Sequence, residues 1–247
     1  MLAFIGGTGL TRMAGLKVTG ETVLSSQWGA PSAPVRQGEL AGQPVLFLAR
    51  HGDPHVLLPH EVNYRANMVA LQQAGATHVV AVNAVGGISD RCPNTAIVVP
   101  DQIIDYTWGR ESTYHGAGAG VVHVDFTWPF DTRLRLALLE SLEAQGVAHV
   151  NGGCYGATQG PRLETAAEIL RMERDGCDIV GMTGMPEAVL ARELDLPYAM
   201  VSLVVNPAAG KSDREITLAE IEAVIEEGMG RLTTALSRFA ADFSPQG

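Results

Sequence analysis

Glu164 closes the stretch Gly156-Ala157-Thr158-Gln159-Gly160-Pro161-Arg162-Leu163-Glu164-Thr165, after an apolar-leaning segment and before a helical pattern. At the mouth of an α/β domain, a carboxylate placed where a strand gives way to a helix can accept a hydrogen bond from a ligand. It can equally be a solvated helix-start residue. Partners elsewhere in the chain decide between these. Arg50 and His51 follow an apolar run and suit an oxyanion: the guanidinium offers a planar fork of donors, and the imidazole donates one or two hydrogen bonds according to protonation. Either residue alone also serves as a surface or structural group. Gly6-Gly7-Thr8-Gly9 can bring bare amides to an anion, with the Thr8 hydroxyl as a further donor, or can be a tight turn. Its spacing fits neither the dinucleotide fingerprint nor the phosphate loop of nucleoside triphosphatases.

Three further positions complete the set of candidates. Asn83 opens Asn83-Ala84-Val85-Gly86-Gly87, a junction where its side chain and nearby amides could contact phosphate. In Gly181-Met182-Thr183-Gly184, Met182 could floor a pocket or pack in the core, and Thr183 could hold an oxyanion. Asn206, ahead of Pro207 and Ala208, carries both a donor and an acceptor, enough to read one edge of a planar heterocycle or to stabilise a turn.

The elements that must position these residues read as an α/β alternation. Short apolar runs at 2–5, 45–49, 78–82, 96–99, 177–180 and 198–205 predict buried strands, and 147–157 has strand character broken by Gly152 and Gly153. A further strand is expected at 121–124, loops and an edge hairpin over 22–43, and a polar loop over 106–120. Helical patterns run through 59–75, 134–145, 166–176 and 186–193, with a final amphipathic helix beginning at Thr217. Glu61 and Arg65 read as a helix-surface pair, and the tail is expected to loosen from Phe239 onward. Candidate groups fall at strand ends, where open α/β sheets bind ligands.

With 247 residues and 46% hydrophobic composition, the chain fills one core, and 1–247 reads as one domain. A formal charge of −10 argues against nucleic-acid binding, which requires a basic footprint, while leaving room for a local positive pocket. Cys92, Cys154 and Cys177 offer neither a close metal-binding pair nor a disulfide framework, and their odd count suits a reducing compartment. No apolar run approaches the roughly 20 residues a membrane span requires, and the first residues lack the pattern of a signal peptide. The expectation is a cytoplasmic protein with no membrane partner.

Taken together, 4–9, Arg50-His51-Gly52, Val62-Asn63-Tyr64-Arg65-Ala66-Asn67 and Gly160-Pro161-Arg162 resemble the trimeric purine nucleoside phosphorylase and methylthioadenosine phosphorylase family across nearly the whole chain. The resemblance implies a single α/β domain with a central mixed sheet flanked by helices. It implies phosphorolysis of the bond between ribose and purine, with inorganic phosphate as co-substrate and no metal or organic cofactor. By the same resemblance, Thr8, Arg50, His51, Asn83, Ala84 and Thr183 surround phosphate. Met182 lies below the nucleoside, and Leu163, Glu164, Asn206, Pro207 and Ala208 belong to the purine-binding region. His123 matches a segment that reaches a neighbouring subunit's pocket, which implies a homotrimer.

The departures from the family pattern bear on substrate. In the methylthioadenosine branch, the positions of Glu164, Asn206 and Ala208 carry a small hydroxyl residue and two aspartates. A carboxylate at Glu164 accepts the N1 hydrogen of hypoxanthine but would face the N1 lone pair of adenine. Inosine-cleaving members place a histidine on the last helix for the 5'-hydroxyl. Ile221 stands there in this chain, with Leu218 one turn earlier, and an apolar wall suits a methylthio group. Both residues read equally as core without the resemblance. The expected reaction converts S-methyl-5'-thioinosine and phosphate into hypoxanthine and 5-methylthioribose 1-phosphate in purine salvage. The alternatives are methylthioadenosine phosphorolysis, general 6-oxopurine nucleoside phosphorolysis, and a noncatalytic nucleoside-binding module.

Overall fold

A computed structural model describes residues 1–7, 10, 13–116, 120, 122–213 and 216–244, with the side chain of Leu218 also outside the description. The apolar runs become the central strands of one mixed sheet because they are covered on both faces. β1 (Leu2–Gly6) lies parallel between β4 (Gln43–Ala49) and β5 (His78–Gly87), and β5 pairs in parallel with β11 (Tyr198–Pro207). Alternation divides their side chains between two cores. Phe4, Val80, Val82, Val201 and Leu203 face one, whereas Ile5, Val79, Ala81, Met200 and Val204 face the other. The first core is covered by α2 (Thr132–Ala144) and α5 (Leu218–Asp242), the second by α1 (Tyr64–Gln73) and α4 (Gly184–Glu193).

One edge of the sheet is antiparallel, with β2 (Lys17–Thr22) and β3 (Val35–Leu40) pairing in turn and β3 pairing with β4. Of this edge only β3 falls within the broken 22–43 segment, where loops and an edge hairpin are expected; β2 lies ahead of it. Beyond β5 the sheet forks. β10 (Cys177–Gly181) meets Gly86 and Gly87 antiparallel and continues through β9 (Cys154–Ala157) to β7 (Gln102–Asp105), while β11 leads to β6 (Ile97–Val99) and β8 (His149–Asn151). Gly152 and Gly153, at φ +84° and +117°, take left-handed conformations between β8 and β9 and split the 147–157 run across the two branches. α3 (Ala166–Arg174) starts from a capping box in which Thr165 and Glu168 exchange hydrogen bonds, so the chain leaves β9, turns, and presents Glu164 directly before the helix.

Four expectations are corrected. β5 does not end at Val82: the small residues from Asn83 onward remain in strand, packed between β10 and β11. Residues 122–124 form no strand, and Val122 and His123 are exposed. Phe239 belongs to α5, where it and Ala240 are buried against the first core, and the helix runs on to Asp242. Glu61 precedes α1 and accepts from the Leu58 amide, while Arg65 pairs with Glu111. Among the described residues, no helix is long and apolar enough to cross a membrane.

Candidate functional site

The carboxyl ends of β1, β4, β5, β9, β10 and β11 converge on one cavity of about 460 Å³. Its walls include Arg50, His51, Asn83, Ala84, Leu163, Glu164, Met182, Thr183, Asn206, Ala208 and Ile221, so most of the candidate residues are brought together. Pro207 lines an adjoining cavity that shares Val205, Asn206, Ile216 and Ile221 with it. His123 is exposed on its loop and does not line the cavity of its own chain. Thr8, and the side chain of Leu218, lie outside the described residues.

Arg50 is fully buried directly after β4. Its Nε and Nη2 donate to Glu187 Oε2 and Oε1 at 2.6 and 2.7 Å, a bidentate pair, while Nη1 reaches the Val82 carbonyl at 3.2 Å. Glu187 Oε1 also accepts from the Tyr198 hydroxyl at 2.8 Å. Burial works against the guanidinium charge, but the charge and hydrogen bonds of Glu187 outweigh it and the Arg50 pKa is raised. The same arrangement explains Gly7: a Cβ there would stand 2.8 Å from Arg50 Nη1, so only glycine lets the β1 turn pass over the guanidinium.

His51 Nδ1 lies 2.9 Å from the Leu57 carbonyl, and its ring stacks on His55 with centroids 4.4 Å apart. A carbonyl only accepts, which assigns the proton to Nδ1 and leaves Nε2 with its lone pair in the neutral ring. Burial first, and then the Arg50 charge, pull the His51 pKa down to about 4. In the unfolded chain the imidazole protonates near pH 6.5, so as pH falls toward 4 the unfolded state binds a proton that the native state refuses. Stability is therefore lost through that window. In urea unfolding without phosphate, the wild-type free energy should drop between pH 7 and pH 4 by about 3 kcal/mol more than that of His51→Gln. Equal drops would contradict a native state that holds His51 neutral.

Asn83 is buried beside the cavity, and its Oδ1 accepts from the Thr183 hydroxyl at 2.9 Å. With Oδ1 so engaged, the donor end of the amide is turned away from Thr183. Nδ2 has no hydrogen-bond partner among the described residues, an uncompensated donor of the kind that a bound anion satisfies. The single hydroxyl proton of Thr183 is engaged in that bond. On the opposite side, Glu164 Oε1 accepts from the Thr158 hydroxyl at 2.7 Å. Asn206 Nδ2 donates to the Pro207 carbonyl at 2.7 Å, which leaves Oδ1 and a second N–H for a ligand. Val205, Ile216, Ile221 and Ile225 form an apolar wall at the end of the cavity bounded by α5.

Sequence reasoning passed over Glu187, Thr158 and Arg110. The only signal for Glu187 was an acid inside the apolar run of α4. Arg110, on the segment that follows β7, donates to the carbonyls of Thr158 and Gln159 at 3.2 and 2.9 Å and to those of Met182 and Met185 at 2.9 and 2.6 Å. Its fork thus ties the turn after β9 to the turn after β10. Among the described residues, no group of three or more His, Cys, Asp or Glu side chains is arranged to hold a metal ion.

Comparison with known proteins places this geometry among relatives. A family model described as the phosphorylase superfamily matches residues 2–241. A probable S-methyl-5'-thioinosine phosphorylase of Pseudomonas syringae pv. tomato is 54% identical over 237 residues, covering 96% of each chain. One of the same description from Xanthomonas campestris pv. campestris is 53% identical, over 97% of this chain and 96% of the relative. Among solved structures, the methylthioadenosine phosphorylase of Schistosoma mansoni in complex with adenine superimposes with a TM-score of 0.93 at 30% identity, covering 97% of this chain and 90% of that one.

Proposed function

The chain belongs to the phosphorylase superfamily, and within it we propose that it cleaves S-methyl-5'-thioinosine with phosphate, giving hypoxanthine and 5-methylthioribose 1-phosphate in purine salvage. The observation that carries this reading is a single cavity joining Glu164 and Asn206 to the apolar wall of Val205, Ile216, Ile221 and Ile225. A 6-oxopurine satisfies the first pair and a methylthio group the second. The Pseudomonas and Xanthomonas relatives carry the matching description.

Phosphate binds on the side of Arg50, His51, Asn83, Ala84 and Thr183. The orphan Asn83 Nδ2 donates to one phosphate oxygen, and the buried Arg50 charge offsets the anion. His51 Nε2, a lone-pair acceptor in the neutral ring, meets the protonated oxygen of hydrogen phosphate. A phosphate oxygen attacks the anomeric carbon as the bond to N9 breaks, and the electron pair passes to the purine. Glu164 accepts the N1 hydrogen, and Asn206 donates toward O6 and accepts from N7 as that nitrogen takes up a proton from solvent, which neutralises the departing purine anion. Met182 floors the nucleoside, and Leu163, Pro207 and Ala208 shape the base region. The enzyme itself forms no covalent intermediate, and phosphate is the only small molecule required besides the nucleoside.

A second reading, methylthioadenosine phosphorolysis, is favoured by the Schistosoma structure with adenine. Against it, the Glu164 carboxylate would confront the N1 lone pair of that base. Steady-state kinetics test the proposal: with phosphate present, kcat/KM for S-methyl-5'-thioinosine should exceed that for inosine by at least about tenfold, the effect of burying a methylthio group rather than a hydroxyl at an apolar wall. Equal values would remove the 5' assignment. Base release that continues without phosphate would remove phosphorolysis itself.

In this reading residues 1–247 form one nucleoside phosphorylase domain, working as a cytoplasmic homotrimer that does not engage nucleic acid or membrane. Support comes from the exposed His123, available to a neighbouring copy, from large exposed apolar side chains such as Trp108 and Trp128, and from three cysteines that are all free. Sedimentation equilibrium at three times the 26.1 kDa chain mass is the expected result.

A further inference from the structure

The base-reading carboxylate sits on a connection, directly before the Thr165 cap, and a side chain so placed needs something to hold its rotamer. Among the described residues, the Thr158 hydroxyl is the one hydrogen-bond donor on Glu164. Thr158 is itself held from two sides. Its amide donates to the Gly181 carbonyl at 2.8 Å, and its carbonyl accepts from Arg110 Nη2 at 3.2 Å. The residue is buried, and it forms part of the partition between the substrate cavity and a second cavity of about 460 Å³ that also borders Glu164. Thr158 lines only the second of these, so it stands behind Glu164 as seen from the substrate.

A threonine hydroxyl has one proton and here two acceptors, Glu164 Oε1 at 2.7 Å and the Gly181 carbonyl at 3.3 Å. The carbonyl already accepts from the Thr158 amide, and the carboxylate contact is both shorter and charge-assisted, so the proton goes to Glu164. One carboxylate oxygen is then tied, and with it the plane of the group. We infer that Thr158 is the positioning residue for purine selection: by holding Glu164 Oε1 it presents Oε2 as the acceptor for the N1 hydrogen of a 6-oxopurine. This rests on the base readout proposed above. Thr158 touches no substrate and acts through Glu164 alone. Its two backbone ties fix it to the end of β10 and to Arg110, so the selectivity of the carboxylate is set where the chain leaves β9 beside β10.

The experiment compares kcat/KM for S-methyl-5'-thioinosine and methylthioadenosine in the wild type and in Thr158→Val, Thr158→Ser and Glu164→Ala. Valine keeps the shape and removes the donor. The expected result is about a tenfold fall for the 6-oxopurine nucleoside, from the loss of one hydrogen bond to a charged group, with methylthioadenosine changed by no more than about twofold. Serine, which keeps the hydroxyl, should restore the wild-type ratio. Should valine prevent folding, Thr158→Ala carries the same expectation. A fall of equal size for both nucleosides, or no fall, while Glu164→Ala collapses the ratio, overturns the role of Thr158 and leaves the base readout standing. A wild type with no 6-oxopurine preference, or a ratio that Glu164→Ala leaves unchanged, overturns both.

Discussion

Replacing Glu187 with Gln is expected to lower the free energy of unfolding by about 3–5 kcal/mol and to abolish measurable phosphorolysis. The reason lies in what Arg50 would be left with. Both side chains of the pair are 0% exposed, and Glu187 occupies two of the guanidinium donors at 2.6 and 2.7 Å. A neutral amide cannot accept both N–H groups or balance the charge, and a buried cation without its counterion is far more costly than a buried pair. Tyr198 loses its acceptor at the same time. Urea denaturation in phosphate-free buffer reads the stability, and a released-base assay reads the activity. The double variant Arg50→Met with Glu187→Leu separates the two effects, because apolar residues can replace a buried pair at little cost or with gain. It should recover most of the lost stability and none of the phosphate-dependent turnover. A stable Glu187→Gln protein with ordinary activity would show that Arg50 needs no counterion and that its placement does not depend on α4.

The second large effect is a change of base. Glu164→Ser combined with Asn206→Asp should shift the ratio of hypoxanthine to adenine release by roughly 100-fold toward adenine, since one hydrogen bond to a charged group is worth about 1.5–3 kcal/mol and the two positions act on the same ring. Serine removes the carboxylate that faces the adenine N1 lone pair and, at the same stroke, the partner of the Thr158 hydroxyl. Aspartate at 206 supplies an acceptor for the adenine amino group and gives up the donor toward O6. Paired assays on S-methyl-5'-thioinosine and methylthioadenosine measure the ratio directly. An unchanged ratio would mean that these two side chains do not read the purine.

Both predictions show which parts of the molecule the sequence displays. Strands β1, β4, β5 and β11 were legible because they are covered on two faces and so read as continuous apolar runs. Their ends carried Arg50, His51, Asn83 and Asn206 to one place, which followed from the rule that such sheets bind ligands at carboxyl ends. The far end of β5 was not legible: Asn83-Ala84-Val85-Gly86-Gly87 has the composition of a turn, and only the neighbouring β10 and β11 keep it extended. The reverse error fell at 122–124, part of an apolar, β-branched run that does not form a strand. Phe239 read as tail because periodicity says nothing of a core waiting beyond the last turn.

Roles that depend on contact were harder still. Glu187 is separated from Arg50 by 137 residues, and its place inside the apolar run of α4 gives no sign of which cation it meets. Arg110 looked like one residue of a polar loop, yet its guanidinium holds four carbonyls, from the turn after β9, the turn after β10 and the start of α4. Thr158 stands within the Gly156–Thr165 motif with nothing local to give it a part, because its part is to hold Glu164 from behind.

The most direct test of the whole account is a single competition. Equal concentrations of S-methyl-5'-thioinosine, methylthioadenosine and inosine are mixed with the enzyme and phosphate, and the remaining nucleosides and released bases are separated by chromatography. Rapid loss of S-methyl-5'-thioinosine with hypoxanthine as the dominant base, and no release when phosphate is omitted, is the predicted result. Adenine as the dominant base would contradict the reading of Glu164 and Asn206, and preferential loss of inosine would contradict the apolar wall at Ile221.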